Sequence, residues 1–227
     1  MPDGTTTPGT TPARFGSGRD VRRIEDASLL VGSGRYTDDV TLPKQTWISF
    51  LRSPEAHAKI ASIDTAAAAK MPGVLAIYTG ADLLAAGVKP GATPLRPALA
   101  VDVVRFVGEQ VVALIAETPE QAKDALEAIV VEYDELPVVT TLTEAITVGA
   151  PLVWLPATNN IAARMKHGDP AACDAAFANA AHVVSLDLEN QRLIPGTMEP
   201  RAAHASFDRE SGRVTLRLST QMPSGLL

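Results

Sequence analysis

Residues 111–133 read VVALIAETPEQAKDALEAIVVEY, and this stretch decides the fold class. Residues 111–116 form an unbroken apolar run of strand length. Thr118 then offers a hydroxyl to cap a helix, Pro119 suits the first helical position, and Gln121 stands three residues after the cap. Ala122, Ala125, Leu126 and Ile129 recur on one helical face. The chain returns to an apolar strand at about 129–133, and Pro137 punctuates its end. Strand, capped helix and strand in such short compass predict an α+β unit of small elements.

Upstream, residues 47–51 and 59–63 read as two earlier strands. Asp64 or Thr65 can cap a short alanine-rich helix that Pro72-Gly73 ends, and residues 74–78 make a third strand. Residues 85–100 carry Gly87, Pro90, Gly91, Pro94 and Pro97, which predicts a loop. Residues 103–107 are strand-like and are separated from the 111–116 strand by a turn at Gly108-Glu109-Gln110. Downstream, Asp169 and Pro170 open a second helix, on which Cys173, Ala176, Phe177 and Ala180 share a face. Val184, Leu186 and Leu188 alternate with polar residues, as a half-buried strand does. The same alternation in Ala203, Ala205 and Phe207, and again in Val214, Leu216 and Leu218, predicts a hairpin about a turn at 208–212. One helix and about three strands cannot bury both faces of a sheet, so this second unit reads as the opening of a larger domain.

At 227 residues the chain has room for one large domain or two modest ones. Hydrophobic residues make up 46% and aromatics 4%, so the core is expected from Ala, Val, Leu and Ile. A net charge of -6 without a basic tract gives no electrostatic ground for binding nucleic acid. No apolar run nears the roughly 20 residues that span a bilayer. The single cysteine, Cys173, excludes an internal disulfide. Residues 1–20 are rich in Thr, Pro and Gly and lack the apolar stretch of a signal peptide, so a flexible arm and a cytoplasmic protein are expected.

Generic catalytic motifs are sparse. Asp38 and Asp39 are neighbours, and neighbours on an extended chain point to opposite sides, which predicts a turn or hydrogen-bonding role over an acid–base pair. His57, His167, His182 and His204 lack short metal-ligand spacing, so no metal site is expected. Cys173 falls on the inferred inner helix face and is expected to pack. Gly32-Ser33-Gly34 lacks the third glycine and the preceding strand of a dinucleotide loop, and with Arg35-Tyr36 it suggests a turn.

Several stretches together resemble the molybdopterin-binding large subunits of the xanthine dehydrogenase, aldehyde oxidase and carbon monoxide dehydrogenase family. They are the segment from Arg23-Ile24-Glu25-Asp26 through Gly32-Ser33-Gly34-Arg35-Tyr36 to Asp38-Asp39, then Arg52-Ser53-Pro54-Glu55-Ala56-His57, Met71-Pro72-Gly73-Val74 and Val107-Gly108-Glu109. The helix from Pro119 and its return to Val131-Glu132-Tyr133 match as well. His167-Gly168-Asp169, Met198-Glu199-Pro200-Arg201 and Leu218-Ser219-Thr220-Gln221 continue the resemblance in the second unit. Gln110 stands where the family often has proline, which is expected to alter a turn and no more.

The resemblance implies a flexible arm at 1–20, an α/β hammerhead domain at 21–145, a connector at 146–168 and the N-terminal fragment of a molybdopterin-binding domain at 169–227. It implies part of a molybdenum hydroxylase that oxidises an aldehyde, an N-heterocycle or carbon monoxide, with water as oxygen source. The cofactor would be a molybdopterin-type molybdenum centre, with iron–sulfur clusters and FAD on partner subunits. Partners would be the remaining part of the large subunit, an iron–sulfur small subunit and an FAD-binding medium subunit. Gln221 matches the family glutamine that donates to the molybdenum centre, and an amide can donate without carrying charge. The family's glycine-rich cofactor loops and base glutamate lie downstream of that segment, so no catalytic residue is expected in this chain and it is expected to be inactive alone. Glu199 and Arg201 are expected to pair with each other. The alternative reading is a non-catalytic interaction or scaffold module derived from the same fold.

Overall fold

In the computed structural model, which describes residues 23–89, 96–155, 157–191 and 193–221, the deciding stretch folds as strand, helix and strand. In chain order the elements are α1 (Asp26–Leu30), a 3-10 turn (Thr37–Asp39), β1 (Trp47–Arg52), β2 (Ala58–Asp64), a second 3-10 turn (Ala68–Lys70) and β3 (Val74–Thr79). Next come α2 (Gly80–Ala85), β4 (Val103–Val104), β5 (Gln110–Ala116), α3 (Pro119–Glu127) and β6 (Val130–Glu135). The chain continues with α4 (Leu142–Ala145), α5 (Pro170–Ala178), β7 (Ala203–Phe207) and β8 (Val214–Leu218). The class is α+β, as expected from the sequence. The expected flexible arm at 1–20 and residues 90–95 of the expected loop lie outside the described residues, as do residues 222–227.

Two three-stranded antiparallel sheets, β1-β5-β3 and β4-β2-β6, enclose the core. β5 is the middle strand of its sheet and is covered on both faces, which is why its sequence is a continuous apolar run and not an alternation. Leu114, Val111 and Val112 are fully buried, as are Val104 and Ala58 from the second sheet. α3 lies on β1 and β5, and its buried Ala122 and Ala125 are small enough to let the backbones approach. Residues 103–107 and 111–116 do not lie side by side. The turn at Gly108 sends the chain from β4 in one sheet to β5 in the other. Only two residues of that first run, Val103 and Val104, pair as a strand.

Bulges correct the strand pattern. In β2 the register with β6 shifts between Ile60 and Ser62, so Ile60 and Ile63 both pack against the core although they are three apart. A shift between Val74 and Ala76 does the same for Val74 and Ile77. The α3 capping motif is half made: Thr118 Oγ1 accepts the Gln121 amide at 3.2 Å. The Gln121 side chain lies instead over Gly73, with its Oε1 buried and unpartnered. Gly73 has φ +80, and any Cβ there would strike the Gln121 amide.

Residues 145–160 are held by specific bonds. Asn160 donates from Nδ2 to Ala145 O at 3.1 Å and Pro151 O at 2.9 Å, and its Oδ1 accepts the Val153 amide at 2.9 Å. Nearby, the Arg105 guanidinium stacks on the Trp154 ring at 4.1 Å. Beyond it, Asp169 caps α5 through the Ala171 and Ala172 amides, yet no residue of that helix is buried. Cys173 is exposed, contrary to the expectation that it packs. Val184, Leu186 and Leu188 form no strand and are 92%, 76% and 82% exposed. Both departures share a cause: an inner face becomes an inner face only when another layer covers it, and the described residues supply none.

Contacts divide the chain into two units. One spans Pro43–Leu188; the other joins the described residues up to Leu42 with those from Glu189 onward. Residues 23–42, which the sequence grouped with the hammerhead stretch, therefore share a unit with the β7–β8 hairpin.

Candidate functional site

The β7–β8 hairpin carries the residue singled out from the sequence. Its register pairs Phe207 with Val214 next to the turn and Ala203 with Leu218 at the open end. The turn is shaped by Asp208, whose carboxylate accepts the Ser211 hydroxyl at 2.5 Å and the Glu210 amide at 3.0 Å. Those bonds hold the Asp208 carboxyl below its ordinary value. Gly212 completes the turn with φ +69. Gln221 follows three residues after β8, at a bend, with its side chain exposed.

Glu199 approaches the same open end from the other strand, four residues before Ala203. Its Oε1 accepts two bonds from Thr37, one from the backbone amide and one from Oγ1, each 3.3 Å. The expected pairing of Glu199 with Arg201 is not formed; the one ion pair among the described residues is Arg105–Glu109. Thr37 sits in a 3-10 turn that Asp39 fastens by accepting the Tyr36 amide at 2.8 Å. Asp39 thus organises the backbone of the turn, and the turn rests against β7.

The histidines do not gather. His57 is buried in the Pro43–Leu188 unit, where Nδ1 meets Pro137 O at 2.8 Å and Nε2 has no partner. His167 and His182 are exposed, and His204 on β7 is half-buried with Nδ1 unpartnered. No group of three His, Cys, Asp or Glu side chains among the described residues could hold a metal ion. A neutral amide donor beside a cofactor that brings its own metal ligands does fit the donor set: Gln221 is uncharged, exposed and free to donate.

A buried charge cluster in the Pro43–Leu188 unit was not foreseen from the sequence. Glu109, 8% exposed, accepts from the Arg105 backbone amide and pairs with its guanidinium at 3.3 Å. Arg105 also donates to Val103 O at 2.8 Å, and Arg52 donates to Gly108 O at 2.8 Å. A charged residue inside an apolar run, four positions from an arginine, was the available signal. The cleft beside it, between Arg52, Phe106 and Trp154, holds about 190 Å³. That is below the roughly 300 Å³ at which pockets for sizeable ligands begin, so the cluster reads as a structural tie. Close by, burial pushes the Tyr133 phenol above its ordinary value, with the Glu55 charge adding and the Ser53 bond opposing.

Comparison with known proteins places these features. Residues 31–137 match the family model described as aldehyde oxidase and xanthine dehydrogenase, a/b hammerhead domain, and residues 155–226 match the molybdopterin cofactor-binding domain. The chain is 40% identical to the nicotine 6-hydroxylase large subunit of Paenarthrobacter nicotinovorans, over 91% of this chain and 26% of that protein. It is 36% identical to the carbon monoxide dehydrogenase large chain of Hydrogenophaga pseudoflava, over 88% of this chain and 27% of the relative. Among solved structures, the Cu,Mo-CO dehydrogenase in its carbon monoxide reduced state is similar with a TM-score of 0.79 and 34% identity, over 92% of this chain and 28% of that one. Quinoline 2-oxidoreductase from Pseudomonas putida 86 gives 0.78 and 36%, over 90% and 27%. The chain spans about a quarter of the length of the relatives it matches. Hammerhead sheets, the hairpin and these ordered matches agree: the chain belongs to the xanthine dehydrogenase, aldehyde oxidase and carbon monoxide dehydrogenase family of molybdopterin-binding large subunits.

Proposed function

We propose that the chain is the N-terminal part of a molybdenum hydroxylase large subunit, works only in an assembled enzyme, and presents Gln221 to the molybdenum cofactor. The observation carrying this reading is the hairpin, whose paired strands deliver an uncommitted, uncharged amide within the stretch matching the cofactor-binding domain. A molybdopterin-type cofactor, when bound, supplies the oxidative chemistry in which water provides the oxygen. Gln221 would hold it by donating from Nε2, which orients the group without adding charge. Glu199 is engaged by Thr37, and we assign no catalytic residue to this chain.

The same reading takes 21–145 as the hammerhead domain, 146–168 as connector, and 169 onward as the start of the cofactor domain, with 1–20 as an arm. Partners are the remaining part of the large subunit, an iron–sulfur small subunit and an FAD-binding medium subunit, in the cytoplasm. Relatives described as a large subunit and as a dehydrogenase complex subunit gamma support a multi-subunit assembly. No described helix is long and apolar enough to cross a membrane.

Molybdenum content and oxidation of aldehydes, N-heterocycles and carbon monoxide test this for the chain alone and with its neighbouring gene products. Metal and turnover should appear only in the mixture, and Gln221→Ala should lower kcat about 10- to 100-fold while metal is retained. Stable association without molybdenum in any combination would overturn the reading and favour an interaction module built on the same fold.

A further inference from the structure

We infer that Thr37 and Glu199 form a latch that sets the position of Gln221, an inference that rests on the proposed role of that glutamine. The bonds from Thr37 N and Oγ1 to Glu199 Oε1 join positions 162 apart in sequence, both within the unit that holds the hairpin. A contact of that separation closes a long loop, so local chain stiffness does not make it.

Three observations connect the latch to Gln221. First, the register pairs Ala203 with Leu218, so the chain leading in from Glu199 and the chain leading out to Gln221 meet at the same open end of the hairpin. Such an end frays unless something fixes it, because its last pair has a neighbour on one side only. Second, the turn carrying Thr37 is rigid on its own account. Asp39 accepts the Tyr36 amide at 2.8 Å, and the Val40 amide donates to Thr37 O at 3.3 Å. Third, that turn lies against β7, and Glu199 itself is steadied by the Thr197 hydroxyl, which donates to Glu199 O at 2.7 Å. A fixed turn, a two-bond carboxylate and a paired strand end form one continuous path to the segment that carries the amide. Thr37 and Glu199 are positioning residues, since each acts on Gln221 through the strand end and not by a bond to it.

The chemistry is suited to a latch. One carboxylate oxygen accepts a backbone amide and a hydroxyl from the same residue, which fixes both the position and the orientation of the turn. A glutamine at 199 can still accept both bonds through its Oε1, whereas alanine can accept neither. Valine at 37 removes the hydroxyl bond and leaves the amide bond.

Two measurements test the inference. In the full 227-residue chain, amide hydrogen exchange at His204 and Arg217, the hydrogen-bonded pair nearest the open end, should quicken about tenfold in Glu199→Ala, the loss expected for a charge-assisted bond. Exchange should quicken by less in Thr37→Val and stay close to wild type in Glu199→Gln. Unchanged exchange in Glu199→Ala and Thr37→Val overturns the latch, and this readout needs no molybdenum. In the assembled enzyme, Glu199→Ala should lower kcat with KM little changed, and should add nothing further in a Gln221→Ala background. Additive losses would show that Glu199 acts elsewhere and would overturn the positioning role. Quickened exchange together with a Gln221→Ala variant of full activity would overturn the cofactor role of Gln221, and with it the positioning role, while leaving the latch as a contact.

Discussion

Helices α3 and α5 are each nine residues long and each open with a polar cap followed by proline, yet only α3 is folded into a core. The cap of α5 is the fuller one, since Asp169 takes two amides where Thr118 takes one. Even so α5 buries nothing, and Phe177 on its apolar face is 64% exposed. α3 has a sheet beside it, with β1 and β5 receiving Ala122 and Ala125. The comparison separates two decisions that a helix makes. Capping residues fix where it starts, at about 1 kcal/mol each. Whether it contributes to a core depends on a partner surface, which the helix sequence cannot supply.

The largest expected effect comes from breaking the surface that α3 uses. Leu114 is fully buried in the middle strand, so Leu114→Ala should cost about 2–5 kcal/mol in denaturant unfolding of the full chain. Phe177→Ala removes a larger side chain from α5 and should stay within about 0.5 kcal/mol of wild type, because that side chain is mostly in water already. Equal losses from the two would show that α5 is covered in solution and would remove the basis of the comparison.

Exchanging the caps sharpens it. Thr118→Ala should lower the stability of the cooperative unit by about 1 kcal/mol, because the first turn of α3 is part of a packed whole. Asp169→Ala should melt α5 with the unfolding midpoint of the core unmoved. Amide exchange in 121–127 and 171–178, followed beside the global transition, distinguishes the two. A drop in the global midpoint from Asp169→Ala would mean that α5 and the core unfold as one.

What could be read from the sequence follows the same division. The strand, cap, helix and strand of 111–133 were legible because each signal is local and the partner elements lie close in the chain. α2 was not legible, although Thr79 and Asp82 form a capping box with reciprocal bonds, because a six-residue helix is too short to carry apolar periodicity. The parting of β4 and β5 into different sheets was not legible, since Gly108 gives the same turn signal whichever sheet follows. Bulges at Ile60–Ser62 and Val74–Ala76 broke the alternation from which strand faces are read. At the candidate site, Gln221 was reachable through a family resemblance and the hairpin through alternation. The Thr37–Glu199 contact left no trace in either, because nothing in a threonine or a glutamate specifies a partner 162 residues away.

The smallest effect to test concerns order that depends on a carboxylate with no core behind it. In the hairpin, Phe207, Val214 and Leu216 are 62%, 65% and 54% exposed, so the turn bonds of Asp208 carry an unusual share of its local order. The Ser211 hydroxyl and the Glu210 amide hold that carboxyl below the ordinary 3.8. A carboxyl that ionises more readily when folded stabilises fully above the ordinary value, and its contribution disappears as pH falls through the lowered one. Amides beside the turn, at Asp208 and Glu210, should therefore lose protection on acidification below the ordinary value while those of β5 keep theirs. Asp82 offers the control within the core unit. Thr79 lowers its carboxyl in the same way, through the backbone amide and the hydroxyl. But α2 is also held by packing, with buried Gly80 set so close to the Ala100 carbonyl that a Cβ would not fit. Its amides should therefore outlast those of the hairpin turn at the same pH. Asp208→Asn should abolish the acid step at the hairpin and leave the response of α2 untouched. If instead α2 opens first, packing is not what separates the two regions, and the contrast between α3 and α5 would need a cause other than burial.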